Sequence, residues 1–200
     1  MPWPKLDLWW VDERCVPPDH PDSNYRMTRE AMLDHVHVPL APEQIHRIEG
    51  ELEPEAAAAR YEAELRSTFR LEGAELPQFD LVQLGMGPDG HTASLFPHTQ
   101  ALAEQNRLAV ANHVEAKDSW RVTITWLVID HGSQVFFLIG GEDKAQILKE
   151  VWAGARDPER LPSQLIRPVS GILTLLLDRA AAALLPPPDA KNCGSFERNG

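Results

Sequence analysis

Cysteine is scarce in this 200-residue chain: Cys15 and Cys193 are the only two, far apart and outside any CxxC or zinc-ligand spacing. That argues against a disulfide-built scaffold and makes a reducing, cytoplasmic setting the expectation. Basic residues are the minority, 19 Lys and Arg against 30 Asp and Glu, giving a formal charge of −11 and a pI near 5.1. Such a field opposes nucleic acid and anionic membrane surfaces as partners. If the ligand is an anion, a few cations must be gathered locally against that field. Long apolar runs are also missing: Gly171 to Leu177, ended by Asp178 and Arg179, is far too short to span a bilayer. No Lys-led apolar leader opens the sequence, so secretion is not expected. What is present is a hydrophobic fraction of 43% beside 24% charged residues, the balance of a folded domain rather than of a disordered chain.

The length suits one domain with its own core. Short β-rich runs alternate with helical ones along the chain. Leu6 to Val11, Phe79 to Leu84, Arg107 to His113, Arg121 to Val128, Val135 to Ile139 and Leu173 to Leu177 read as strands. Asn24 to His35, Pro54 to Arg70, Glu142 to Ala153 and Asp178 to Leu185 read as helices. Several strands are apolar on both faces, as central parallel strands covered by helices must be. The expected fold is therefore α/β, a three-layer α/β/α sandwich with a mostly parallel, Rossmann-like sheet, spanning residues 1–185. Residues 186–200 lose the apolar period and are expected to form a disordered tail. In such sheets ligands gather beyond the carboxyl ends of the strands.

Three strand ends carry chemistry. The first runs into Asp12, Glu13 and Arg14, then a Pro-rich loop, with Ser23 or Asn24 a credible N-cap for the next helix. Two acids and a cation are hard to explain as core, because buried charges need partners. They read either as a solvated turn with an internal Arg–carboxylate pair or as part of a site. The second end is Gly85-Met86-Gly87-Pro88-Asp89-Gly90-His91. It matches GxGxxG after a strand, yet Pro97 stops any helix from His91 after little more than a turn, so a dinucleotide site is not indicated. A His beside an Asp on a Gly-rich bend suits general-base work, since imidazole titrates near neutral pH and a carboxylate can orient it. The third end is Gly140-Gly141 leading into a helix with Lys144 in its opening turn, a place favourable to phosphate. The competing reading of Lys144 is a surface residue paired with Glu142 or Asp143. Arg121, opening a strand, could add a further charge.

Other features have plainer readings. His35 and His37 form an HxH pair without a carboxylate cluster nearby, so no metal site is expected. Trp9 and Trp10 alternate across a strand and should pack under helices on opposite sides. Cys15 adjoins acids that would keep its thiol protonated, which makes it a poor nucleophile.

Taken in order, WWVDERCVPPDHPDSNYRM, LGMGPDGHTASLFP, WRVTIT, IGGEDKAQIL and LPSQLIRPVSGILTLLLDRAAA resemble the 6-phosphogluconolactonase family over nearly all of residues 6–185. The resemblance implies hydrolysis of 6-phospho-D-glucono-1,5-lactone in the oxidative pentose phosphate pathway, without cofactor or metal. By that resemblance His91 is the general base and Asp89 its supporting carboxylate. Arg14 and Lys144, with Arg121 as a further candidate, would hold the 6-phosphate. Asp12, Gly85, Gly87 and Gly90 would line the pocket. The related glucosamine-6-phosphate deaminases carry a Glu five residues beyond the His, where this chain has Phe96, which cannot relay a proton. The family's N-terminal Gly-Gly-Ser-Thr-Pro-like loop has no counterpart in these residues. If the first strand and its helix are missing, apolar surface from Leu8 and Trp10, or from their opposite-facing neighbours, is expected to be exposed, with homodimerisation, poor solubility or weak phosphate affinity as the consequence. A catalytically impaired sugar-phosphate-binding or partner-binding homologue is the alternative reading, and a phosphosugar isomerase or deaminase a third.

Overall fold

The architecture was examined in a computed structural model, which describes residues 3–35 and 40–186. Residue His37 of the HxH pair and the expected tail beyond Pro186 lie outside the described residues.

Among the described residues, eight strands form three small sheets. Strands β1 (Leu8–Trp9) and β3 (Ile45–His46) pair in parallel. Strand β2 (Asp12–Arg14) runs antiparallel to β6 (Ser119–Ile124), which runs antiparallel to β5 (Ala109–Val114). Strands β4 (Val82–Leu84), β7 (Gln134–Ile139) and β8 (Ile172–Leu177) are parallel in that order. Helices α1 (Asn24–Ala31), α2 (Pro54–Phe69), α3 (Trp126–Asp130) and α4 (Ala145–Ala153) complete the α/β fold. One buried cluster runs from Trp10 through Val82, Val122 and Phe137 to Ala181, with Leu8, Trp9 and Ile45 of the β1–β3 pair packed against it.

The sequence dictates much of this locally. Helix α2 starts at Pro54, whose missing N–H costs nothing in a first turn, and the Glu53 carboxylate caps it by accepting from the Ala56 N–H. Its buried stripe, Ala57, Ala58, Tyr61 and Leu65, recurs at helical spacing. It ends on Arg70 in the left-handed region, one residue earlier than its apolar period suggests. Helix α4 buries Leu148, Val151 and Trp152, the last edge-on to Phe137 of β7 at 5.2 Å.

Several boundaries depart from expectation. The run Leu6 to Val11 is not one strand: the chain leaves β1 after Trp9 and joins another sheet at Asp12. Between them, the Tyr61 hydroxyl of α2 accepts from the Trp10 N–H and donates to its carbonyl, satisfying both groups without a strand partner. The run Arg121 to Val128 divides at Thr125, where strand β6 gives way to α3. Asp178 to Leu185 is a 3-10 turn over Ala181–Leu184, because the Asp178 carboxylate accepts from both the Ala181 and Gly141 N–H groups and ties the turn to the β7–α4 bend. Helix α1 stops at Ala31 and a 3-10 turn covers Leu33–His35.

Trp9 stacks on His46 and meets Tyr61 and Phe69 of α2, whereas Trp10 packs against Tyr25 of α1. The two indoles thus lie under different helices. The expectation of exposed Trp10 is wrong: it is 8% exposed. Exposed apolar side chains gather on the parallel sheet, where Leu138 and Leu176 face each other across β7 and β8 with Ile172 on the same face, four residues from Leu176. No described helix is long and apolar enough to cross a membrane.

Candidate active site

The loop after β4 makes no helix; it folds back on itself. The Gly87 N–H donates to the His91 carbonyl at 2.9 Å, the Gly90 N–H to the Gly87 carbonyl at 3.1 Å, and the Thr92 hydroxyl to the Gly85 carbonyl at 2.8 Å. Two glycines have steric reasons. A Cβ at Gly87 would overlap the His91 ring and come within 2.8 Å of an Asp89 oxygen. Gly90 has φ +79 and a Cβ there would sit 2.9 Å from Leu161. Nothing lies near a Cβ built at Gly85. Gly87→Ala should therefore displace the ring rather than unfold the loop. We expect a kcat loss of about 10–100-fold, the scale set by ångström-level misplacement of a reacting group. Steady-state kinetics beside a thermal melt will separate this from unfolding.

Asp89 Oδ1 accepts twice from His91, from the backbone N–H at 3.2 Å and at ring Nδ1 at 2.5 Å. Partial burial works against ionisation of Asp89, but the ring hydrogen bond, the His91 charge and the backbone N–H outweigh it, and its carboxyl lies below the usual range. An ionised carboxylate only accepts, so Nδ1 carries a hydrogen, and it is in the neutral imidazole that Nε2 holds the lone pair. The His91 side chain is 23% exposed, so the ring is partly open to solvent.

The loop is anchored to β2 and β6. Ser94 Oγ donates to Asp12 Oδ2 at 2.6 Å, and the Ser94 N–H to Thr123 Oγ1 at 3.3 Å. Asn112 of β5 donates to the Ser94 carbonyl from below. Asn24 Nδ2 approaches the other Asp12 oxygen at 3.4 Å and donates to the Asp12 carbonyl. Asp12 is thus held between the 85–97 loop and the start of α1.

Arg14 and Arg121 are register partners on β2 and β6. Burial, then the neighbouring Arg14 charge, lower the Arg121 pKa, against the opposing pull of Asp12 and Asp22. Both guanidinium Nε atoms are buried without a hydrogen-bond partner. Two adjacent cations with unpaired donors supply the chemistry that binding an anion needs. The internal Arg–carboxylate pair of the solvated-turn reading does not form: Arg14 Nη1 donates instead to the Asp22 carbonyl. Glu13, 2% exposed, turns to the other face and accepts from Ser23 Oγ and the Arg14, Asn24 and Tyr25 N–H groups.

Lys144 ends the 3-10 turn Glu142–Lys144 and pairs with Asp143 at 3.3 Å. Ile147, in the next turn, would lie 3.6 Å from a Cβ on Gly90, so the opening of α4 lies against the His91 loop. The reading of Cys15 as inert agrees with its surroundings: burial, then Glu13 and Glu53, push its thiol up to about 11. Among the described residues, no three His, Cys, Asp or Glu side chains cluster as metal ligands would. Sequence reasoning passed over Ser94, which lies 82 positions from its partner Asp12 and carries no local signal of that pairing.

A family model described as glucosamine-6-phosphate isomerases/6-phosphogluconolactonase matches residues 1–175. The chain is 43% identical over 188 residues to a 6-phosphogluconolactonase from Synechocystis, covering 94% of this chain and 76% of that protein. It is 39% identical over 186 residues to the 6-phosphogluconolactonase of Homo sapiens, covering 92% and 70%. The solved 6-phosphogluconolactonase from Trypanosoma cruzi superposes with a TM-score of 0.78 at 31% identity, over 90% of this chain and 72% of that one.

Proposed function

Because the chain belongs to the glucosamine-6-phosphate isomerase/6-phosphogluconolactonase family, we propose that it is a lactone hydrolase converting 6-phospho-D-glucono-1,5-lactone to 6-phosphogluconate. One observation carries the reading to residues: an exposed imidazole, oriented by an ionised Asp89, on a loop bonded through Ser94 to the strand that bears Arg14 beside Arg121.

His91 Nε2 takes a proton from a water as that water attacks the C1 carbonyl. Nδ1–H remains on Asp89, whose charge stabilises the imidazolium. When the tetrahedral intermediate collapses, the bond from C1 to the ring oxygen breaks and the imidazolium returns the proton to that oxygen. The new carboxylic acid then ionises and acidifies the medium. Arg14, Arg121 and Lys144 hold the phosphate, and Asp12 with the glycine-lined bend borders the sugar. The lactone is already reactive in water, so a positioned base adding ~10²–10⁴-fold is sufficient chemistry, with orientation contributing further.

Proton release on adding fresh 6-phosphogluconolactone tests the reaction, with the unphosphorylated lactone as comparison. Rapid acidification is expected only with the phosphorylated substrate, and equal rates on both would remove the phosphate-binding role of the cations. Lys144→Ala should raise KM about tenfold, the loss of one charge-assisted hydrogen bond, with kcat little changed. Unchanged KM would return Lys144 to its pairing with Asp143.

A further inference from the structure

Phe96 is 4% exposed, but its surroundings are not those of a simple core residue. Its ring lies against the His91 imidazole with centroids 3.9 Å apart and planes 18° from parallel. The Arg121 guanidinium carbon lies over the same ring, 5.4 Å from its centroid. Phe96 lies five positions beyond His91, and the chain between them is bound by the Leu95 N–H to the Thr92 carbonyl, so the stack is fixed within one tight turn.

A single hydrogen bond at Nδ1 fixes the direction of one ring atom. It leaves the imidazole free to tilt about that direction, and Nε2 on the far side of the ring moves with the tilt. A flat aromatic face at stacking distance removes that freedom. Phe96 has no polar atom with which to move a proton, so its contribution is made through His91. We propose that Phe96 is a positioning residue that sets the plane of the His91 ring and thereby aims Nε2 at the attacking water. This rests on the reading of His91 as the general base. The face also favours the imidazolium that forms when the base takes its proton, as it favours the Arg121 cation.

Phe96→Met keeps roughly the side-chain volume and flexibly fills the space, but has no plane. Phe96→Tyr keeps the plane. The expected result is a kcat about 10–100-fold lower in Phe96→Met with KM within about threefold, and kcat within about threefold of wild type in Phe96→Tyr. Wild-type kcat in Phe96→Met, or an equal kcat loss in both folded variants, overturns the proposal. A measurement on the unmutated protein does not depend on either variant folding: stacking must shift the His91 ring-carbon protons upfield in the NMR spectrum, and unshifted resonances also overturn it. His91→Asn separates the two ideas. Full activity in that variant removes the base and this proposal together. Its loss of activity beside wild-type kcat in Phe96→Met removes the positioning role alone.

Discussion

Replacing His91 with Asn is expected to lower kcat by about 10²–10⁴-fold while leaving KM within a few-fold, because the ring's only assigned task is to move a proton in the transition state. Asn is close enough in size to keep the loop closed, and its amide can still bond Asp89, so a fall in activity is not a fall in folding. Stopped-flow acidification with freshly prepared lactone, beside a thermal melt, is the measurement. Asp89 bears on the pH dependence with a definite sign. Its folded pKa is depressed, so its ionised form persists below the ordinary carboxylate range and is lost only as pH falls through the lowered value. Any acid limb nearer neutrality therefore reports the base and not its orienting carboxylate. Equal rates for wild type and His91→Asn would contradict the assignment.

The largest effect on stability is expected at Glu13. Its two oxygens receive four hydrogen bonds at 2.7–3.0 Å, from Ser23 Oγ and from the N–H groups of Arg14, Asn24 and Tyr25. Ser23 Oγ in turn accepts from the Arg26 N–H, so the carboxylate and the hydroxyl together serve the first turn of α1. Glu13→Ala strands several of these donors at ~1–3 kcal/mol each when buried, for a total of about 3–5 kcal/mol. Glu13→Gln should cost less, since one oxygen remains, but an amide NH₂ must then face a donor. Urea denaturation of the three proteins reads the order directly. Because Asp12 and Arg14 flank Glu13 on β2, the same change should loosen the anion site and raise KM. A loss below about 1 kcal/mol for Glu13→Ala would show that the helix start is held by other means.

Much of the fold was legible because apolar periodicity is local. The helices α2 and α4 and the strands β4, β5, β7 and β8 fall where their apolar spacing puts them, within a few residues. What was not legible depends on partners distant in the chain. The break between β1 and β2 is made by the Tyr61 hydroxyl, 51 positions away. Strand β3 is only two residues long, with no room for an alternation to register. The Thr125 N–H still bonds the Leu108 carbonyl, 17 positions away, while the Thr125 carbonyl accepts from the Val128 and Ile129 N–H groups and turns the chain from β6 into α3.

The site divides in the same way. His91, Asp89 and the glycines lie within seven residues, so their chemistry could be read from one motif. Glu13, read as part of a charged strand end, is buried on the other face of β2 because strand alternation turns it away from Asp12 and Arg14. Arg121 gains weight only when register sets it opposite Arg14. Phe96 was noticed for the proton it cannot carry, while its stack on His91 requires the turn between them.

The central claim is that one pocket holds both the imidazole and the cations, and a crystal structure with bound 6-phosphogluconate tests it most directly. The product carboxylate should lie within hydrogen-bonding distance of His91 Nε2, with the phosphate on the guanidinium groups of Arg14 and Arg121 and the ammonium of Lys144. A ligand bound away from the 85–97 loop, or a phosphate touching none of these three cations, would contradict it.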